Sequence, residues 1–156
     1  MRVAVIGLGL IGGSFALALK AKGIATTVVG VEANPQHAAM AIELGIVDSV
    51  MPLQEAVAEA ELIAIAVPVD VIPQVAIKVL NRVTESQIVI DMGSTKGELC
   101  EIISQHPARS RFVATHPMWG TEFSGPQAAT ADSFAGRNVV ICQKELSDVK
   151  AVEKVE

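Results

Sequence analysis

VAVIGLGLIGGS, Val3 to Ser14, decides how the rest of the chain is read. It opens as a mostly β-branched apolar run, passes through glycines alternating with aliphatic residues, and continues from Ile11 to Lys22 with apolar residues at helical spacing until Gly23. That spacing predicts a strand, a tight turn and a helix. Gly7, Gly9 and Gly12 stand at the glycine positions of GxGxxG, a pattern that carries weight only in such a context. Gly7 permits the turn, Gly9 leaves room for a pyrophosphate, and Gly12 lets helix and strand pack closely. Amides at the helix start, around Leu10 and Ile11, then face the phosphates at the positive end of the helix dipole. Arg2 followed by this apolar stretch has the outline of a secretory leader, but Gly7, Gly9, Gly12 and Gly13 would break the helix that a leader requires.

Outward from the turn, Thr27 to Val31 reads as a second strand ending at Glu32, about twenty residues beyond Gly12, where a carboxylate can accept hydrogen bonds from ribose hydroxyls. A carboxylate repels a 2′-phosphate and no arginine follows closely, so NAD is expected over NADP. The plainer alternative is a solvated loop acid. Asn34-Pro35 reads as N-cap plus first helical residue of a helix stopping near Gly45. A brief strand is expected near Asp48 to Val50, then a short helix over Leu53 to Ala60. Leu62 to Val67 is a continuous apolar run, as expected of a central strand buried on both faces, and Pro68 ends it. Asp70 is placed to cap a helix carrying Ile72, Val75, Ala76 and Val79. Gln87 to Asp91 follows as a strand, then the GSTK turn and a helix from about Gly97 to Gln105. Phe112 to Thr115 and Asn138 to Cys142 are further strands, separated by a loop of about twenty residues, long enough to suggest a functional role. Ser147 is expected to cap a last helix through Val155. The alternation of strands and helices predicts a doubly wound α/β fold of Rossmann type, a mainly parallel sheet with helices on both faces of a single domain.

Composition narrows the function. The 156 residues are 51% hydrophobic and 3% aromatic, so the core is aliphatic. A net charge of −5 without a cluster of Lys or Arg gives no footprint for nucleic acid or an anionic membrane. No apolar run reaches the length of a membrane span. Cys100 and Cys142 have neither CxxC nor Cys/His spacing, which points to reduced thiols and a cytoplasmic location rather than disulfides or zinc.

Two polar clusters fall at predicted strand ends, the rim where open α/β sheets bind ligands. Ser94 can reach a ligand, or it or Thr95 can simply cap the helix that follows. His116 has the chemistry to hold or move a proton near neutrality, although a lone loop histidine is commonly a surface residue. Trp119 is either a pocket wall or a packing anchor.

Taken together, GLGLIGGS at 7 to 14, AVPV at 66 to 69, DMGSTK at 91 to 96 and HPMWGTEFSGP at 116 to 126 resemble the prephenate dehydrogenase family, which includes the arogenate and cyclohexadienyl dehydrogenases of tyrosine biosynthesis. The resemblance implies NAD as cofactor, bound by Gly7, Gly9, Leu10, Ile11, Gly12, Glu32, Val67, Pro68 and Ser94. It implies oxidative decarboxylation of prephenate or arogenate, with His116 and Ser94 catalytic and Thr121 and Glu122 lining the substrate site. Lys96 matches a recurrent position and is expected to be structural or at the surface. Trp119 stands where many relatives have a small residue. The family's second, helical domain, which forms a homodimer and supplies a further histidine and an arginine, is not recognised in residues 1–156. Two other readings remain at this point: a non-catalytic module that binds or senses NAD, and another NAD-dependent dehydrogenase of a small substrate.

Overall fold

The structure, a computed structural model, describes residues 1–156. Its elements are β1 (Arg2–Ile6), α1 (Leu10–Ala21), β2 (Thr27–Val31), α2 (Pro35–Glu43), β3 (Ser49–Val50), α3 (Leu53–Glu59), β4 (Leu62–Ile65), α4 (Ile72–Leu80), β5 (Ile88–Asp91), α5 (Gly97–Ile103), β6 (Phe112–Pro117), β7 (Val139–Cys142) and α6 (Val149–Val155). The strands form one seven-stranded sheet in the order β3-β2-β1-β4-β5-β6-β7. All pairings are parallel except β6 with β7. The Leu62 run makes the middle strand, buried at every position, as its unbroken apolar character requires.

Side chains alternate across the sheet and feed two cores. On one face Ala4, Ile63, Ile65 and Val89 pack against Val57 of α3, Ala76 and Val79 of α4, and Leu99 and Ile103 of α5. On the other, Val3, Val5, Leu62 and Val113 pack against Leu19 of α1, Ala41 of α2, and Ala151 and Val152 of α6. The chain winds outward from β1 through β2 to β3, then returns to β4 and winds the other way. The direction therefore reverses between β1 and β4, and the crevice above their carboxyl ends is where such folds bind ligands.

Three local expectations are corrected. Asp70 is exposed and does not cap α4; the helix starts on a backbone turn, with the amides of Val71 and Ile72 donating to Pro68 O. Ser147 does not cap α6, which begins one residue later. Asp148 accepts from Ala151 N at 3.0 Å, while buried Ser147 donates to Phe112 O at 2.8 Å. Finally, β6 runs on to Pro117 because its antiparallel ladder with β7, from Ala114–Cys142 to Pro117–Val139, continues past the parallel pairing with β5. His116 thus lies inside the strand, opposite Val140. Asn34 does cap α2 as expected, accepting from Gln36 N at 2.9 Å, with Pro35 as the first helical residue.

An apolar cavity of about 620 Å³ opens on the α1 and α6 face, walled by Phe15, Leu19, Ile90, Phe134 and Val155 among others. No helix is long and apolar enough to cross a membrane.

Candidate functional site

The glycine turn has the shape its sequence predicts. Gly7 has φ +93°, and a Cβ there would lie 2.6 Å from Ala66 O and 3.0 Å from Val67 N. No other residue type fits without moving the backbone after β4. A Cβ on Gly12 would collide with Gly7 O and stand 3.0 Å from the Ala66 Cβ, so helix and strand meet at the closest approach the backbone allows. Gly9 differs: a Cβ there would meet nothing within 4 Å. The first helical bond runs from Gly13 N to Gly9 O at 2.8 Å, leaving the amides of Leu10, Ile11 and Gly12 without intrahelical acceptors, and no side chain caps them. Free amides beside open space fit a diphosphate. Val67 is half-buried and borders this turn through its backbone nitrogen, and exposed Pro68 follows it in the chain.

Glu32 joins the same place. Its Oε2 accepts from Leu8 N at 2.8 Å and its Oε1 from Asn34 N at 2.9 Å, so the carboxylate is tied to the turn rather than solvated in a loop.

Ser94 and His116 share the rim. Strands β5 and β6 are adjacent and parallel, so the turn after one and the end of the other emerge at the same edge. Phe112 and Ala114 belong to the core on the α4 and α5 side, and alternation puts His116 on that side too. The turn carrying Ser94 leads into α5 on the same side. Ser94 is exposed and His116 half-buried. Ser94 and Thr95 do not cap α5, whose N-terminus has no side-chain cap.

Beneath them lies a group that sequence reasoning passed over. Asp91 is fully buried, and its carboxylate accepts from Gly93 N at 2.9 Å, Thr115 N at 3.2 Å and Lys96 Nζ. Thr115 Oγ1 donates to Asp91 O, and Lys96 Nζ donates to Gly93 O at 2.6 Å. Burial pushes the Asp91 carboxyl above its usual range, opposed by the adjacent Lys96 ammonium. Lys96 is thereby structural. The available signal was an acid ending an otherwise apolar strand, five residues before a lysine.

The long segment after β6 is held by the fold itself. Thr130 N donates to buried Ser14 Oγ at 3.0 Å, next to the glycine turn. Phe134 packs edge-on against Phe15 with centroids 5.9 Å apart, and Trp119 packs on Phe134 at 5.6 Å, which makes the tryptophan a packing anchor. Thr121 and Glu122 are exposed on this segment, Thr121 Oγ1 accepting from Phe123 N at 3.2 Å. Glu122 borders a shallow depression with Ser124 and Gln127. Neither is hydrogen-bonded to His116.

Comparison with known proteins gives the arrangement a family. The sequence profile for "Prephenate dehydrogenase, nucleotide-binding domain" matches residues 15–156. The chain is 32% identical to prephenate dehydrogenase of Bacillus subtilis over 156 residues, 98% of this chain and 42% of that protein. It is 33% identical to cyclohexadienyl dehydrogenase of Zymomonas mobilis over 153 residues, 96% of this chain and 52% of that protein. Prephenate dehydrogenase from A. aeolicus, solved in complex with hydroxyphenyl propionate and NAD+, superposes with a TM-score of 0.90 at 29% identity, covering 99% of this chain and 55% of that one. The chain belongs to the prephenate dehydrogenase family, in which it corresponds to the nucleotide-binding domain, and it spans about half the length of these relatives. The glycine turn lies just before the profile's matched range, within the stretch that the 98% and 99% coverages of these relatives include.

Proposed function

We propose that this chain is the NAD-binding domain of an enzyme that oxidatively decarboxylates prephenate, or arogenate, to 4-hydroxyphenylpyruvate or tyrosine. The observation that supports this is that a turn shaped for a diphosphate, Ser94 and His116 all lie at strand ends on one rim of the sheet. Glu32 favours NAD over NADP, because a carboxylate bonded to Leu8 N would repel a 2′-phosphate. Bound NAD supplies a nicotinamide that accepts hydride from the ring carbon bearing the substrate hydroxyl.

The chain's residues govern the proton. His116 takes it from that hydroxyl as hydride leaves the same carbon and the carbon–oxygen bond gains carbonyl character. The ring carboxylate then leaves as carbon dioxide, its bonding pair makes the ring aromatic, and His116 returns the proton to the oxygen, which ends as the phenol of the product. General-base help of this kind is worth about 10²–10⁴ in rate. Ser94 holds the same oxygen from the neighbouring turn, and Thr121 and Glu122 line the approach for substrate. Joined to the family's second, helical domain, this chain would gain dimer contacts and an arginine for the substrate carboxylate; without them it binds NAD and turns over slowly. The enzyme works in the cytoplasm.

The test is NADH formation with prephenate and with arogenate, by this chain and by a version carrying whatever its reading frame continues into. Oxidation of either substrate by the longer protein is expected. NAD binding by the longer protein without oxidation of either would contradict the assignment.

A further inference from the structure

Asp91 has no place in the chemistry just described, yet it is the most deeply enclosed carboxylate at the rim. Its two oxygens divide their work. Oδ2 accepts from Gly93 N at 2.9 Å, inside the turn that carries Ser94, and Oδ1 accepts from Thr115 N at 3.2 Å, in the residue before His116. Thr115 returns a hydroxyl bond to Asp91 O, and Lys96 closes the turn by donating to Asp91 and to Gly93 O. The packing around the turn is equally tight: a Cβ on Gly93 would lie 2.7 Å from Ile72 Cδ1 and 3.0 Å from Asp91 Oδ2. A buried ion pair is a poor source of net stability, because both charges lose water. What it does provide is fixed geometry, since each oxygen is committed to a different segment.

We propose that Asp91 is a positioning residue which, neutralised by Lys96, sets the spacing between the Ser94 turn and the His116 strand. The inference rests on the proposed reaction. Asparagine at 91 has one acceptor oxygen and cannot serve both amides, and glutamine at 96 keeps a neutral donor for Gly93 O. The informative comparison is therefore the unaltered protein with the double variant Asp91→Asn, Lys96→Gln, which leaves neither a buried lysine nor a buried carboxylate unpaired.

In the longer, active protein the double variant is expected to have a kcat at least about tenfold below that of the unaltered protein, with KM for NAD within about threefold, the pattern of an interaction needed in the transition state rather than for binding. Equal kcat in the two proteins would overturn the positioning role. A second readout needs no activity. In this chain, amide hydrogen exchange at Gly93 and Thr115 should quicken about tenfold in the double variant relative to the unaltered chain while Val89 and Val113 stay protected. Unchanged exchange at both amides would overturn the brace itself. If the unaltered longer protein oxidises neither substrate, the proposed reaction fails and the positioning role with it; a kcat difference from an active parent cannot be mistaken for that outcome.

Discussion

Glu32 Oε2 accepts the amide of Leu8 at 2.8 Å, so the residue that ends the second strand is bonded into the middle of the glycine turn formed after the first. In the proposed reading, one carboxylate both holds the turn and presents negative charge toward an adenosine ribose. Removing it with Glu32→Ala should weaken NAD binding about tenfold, roughly 1.4 kcal/mol, and narrow the gap between NAD and NADP. Isothermal calorimetry with both nucleotides checks this. Tighter binding of NADP than NAD by the unaltered chain would refute the assignment.

Gly7 combines a φ of +93° with a carbonyl 2.6 Å from any Cβ placed there. Gly7→Ala should therefore cost about 2 kcal/mol or more, from a strained backbone and an overlap with Ala66. Denaturant unfolding measures the loss, and a midpoint equal to that of the parent would mean that the turn relaxes freely.

His116 is inside a strand, and its substitution need not disturb the glycine turn. In the longer protein, His116→Asn should lower kcat by about 10²–10⁴ with NAD affinity within about threefold. Steady-state kinetics and calorimetry separate the two quantities. Unchanged turnover would remove His116 from the mechanism.

Asp48 is held below its usual carboxylate pKa, first by its hydrogen bond from Lys20 and then by that from Val28 N. A depressed folded-state pKa stabilises the fold above the unfolded value and loses that contribution as pH falls through the folded value. Asp48→Asn should thus cost less than about 1 kcal/mol at pH 7, because the pair is largely exposed, and the difference should vanish in acid, below both values. Urea unfolding across this range tests the sign.

Much of this architecture was legible because its causes are local. The glycine turn, the Asn34-Pro35 cap and the buried Leu62 run each follow from residues near in sequence; the first two form where expected, and the strand of the third starts at Leu62 but ends at Ile65, two residues short of Val67. Glu32 could be placed because a fixed spacing links it to the turn. Two of the three misplaced features depend on partners far along the chain. Ser147 is drawn into the core by Phe112, and β6 is lengthened by a strand more than twenty residues away, which moved His116 from a loop into the sheet. Asp91 was invisible as a brace for the same reason: Thr115, which bonds both its carboxylate and its backbone carbonyl, lies across the crossover through α5. Trp119 needed Phe134 to show what it packs on.

The apolar cavity on the α1 and α6 face adds a physical consequence. With Phe15, Leu19 and Phe134 among its walls, it is a surface that favours burial against another molecule. The isolated chain should self-associate at high concentration in light scattering, and a clean monomer would contradict this.

The most direct measurement is a crystal structure of this chain with NAD. The expected complex has the diphosphate on the amides of Leu10, Ile11 and Gly12, the ribose at Glu32 and the nicotinamide between Ser94 and His116. A nicotinamide bound away from both residues, or an imidazole turned out of the crevice, would contradict the account.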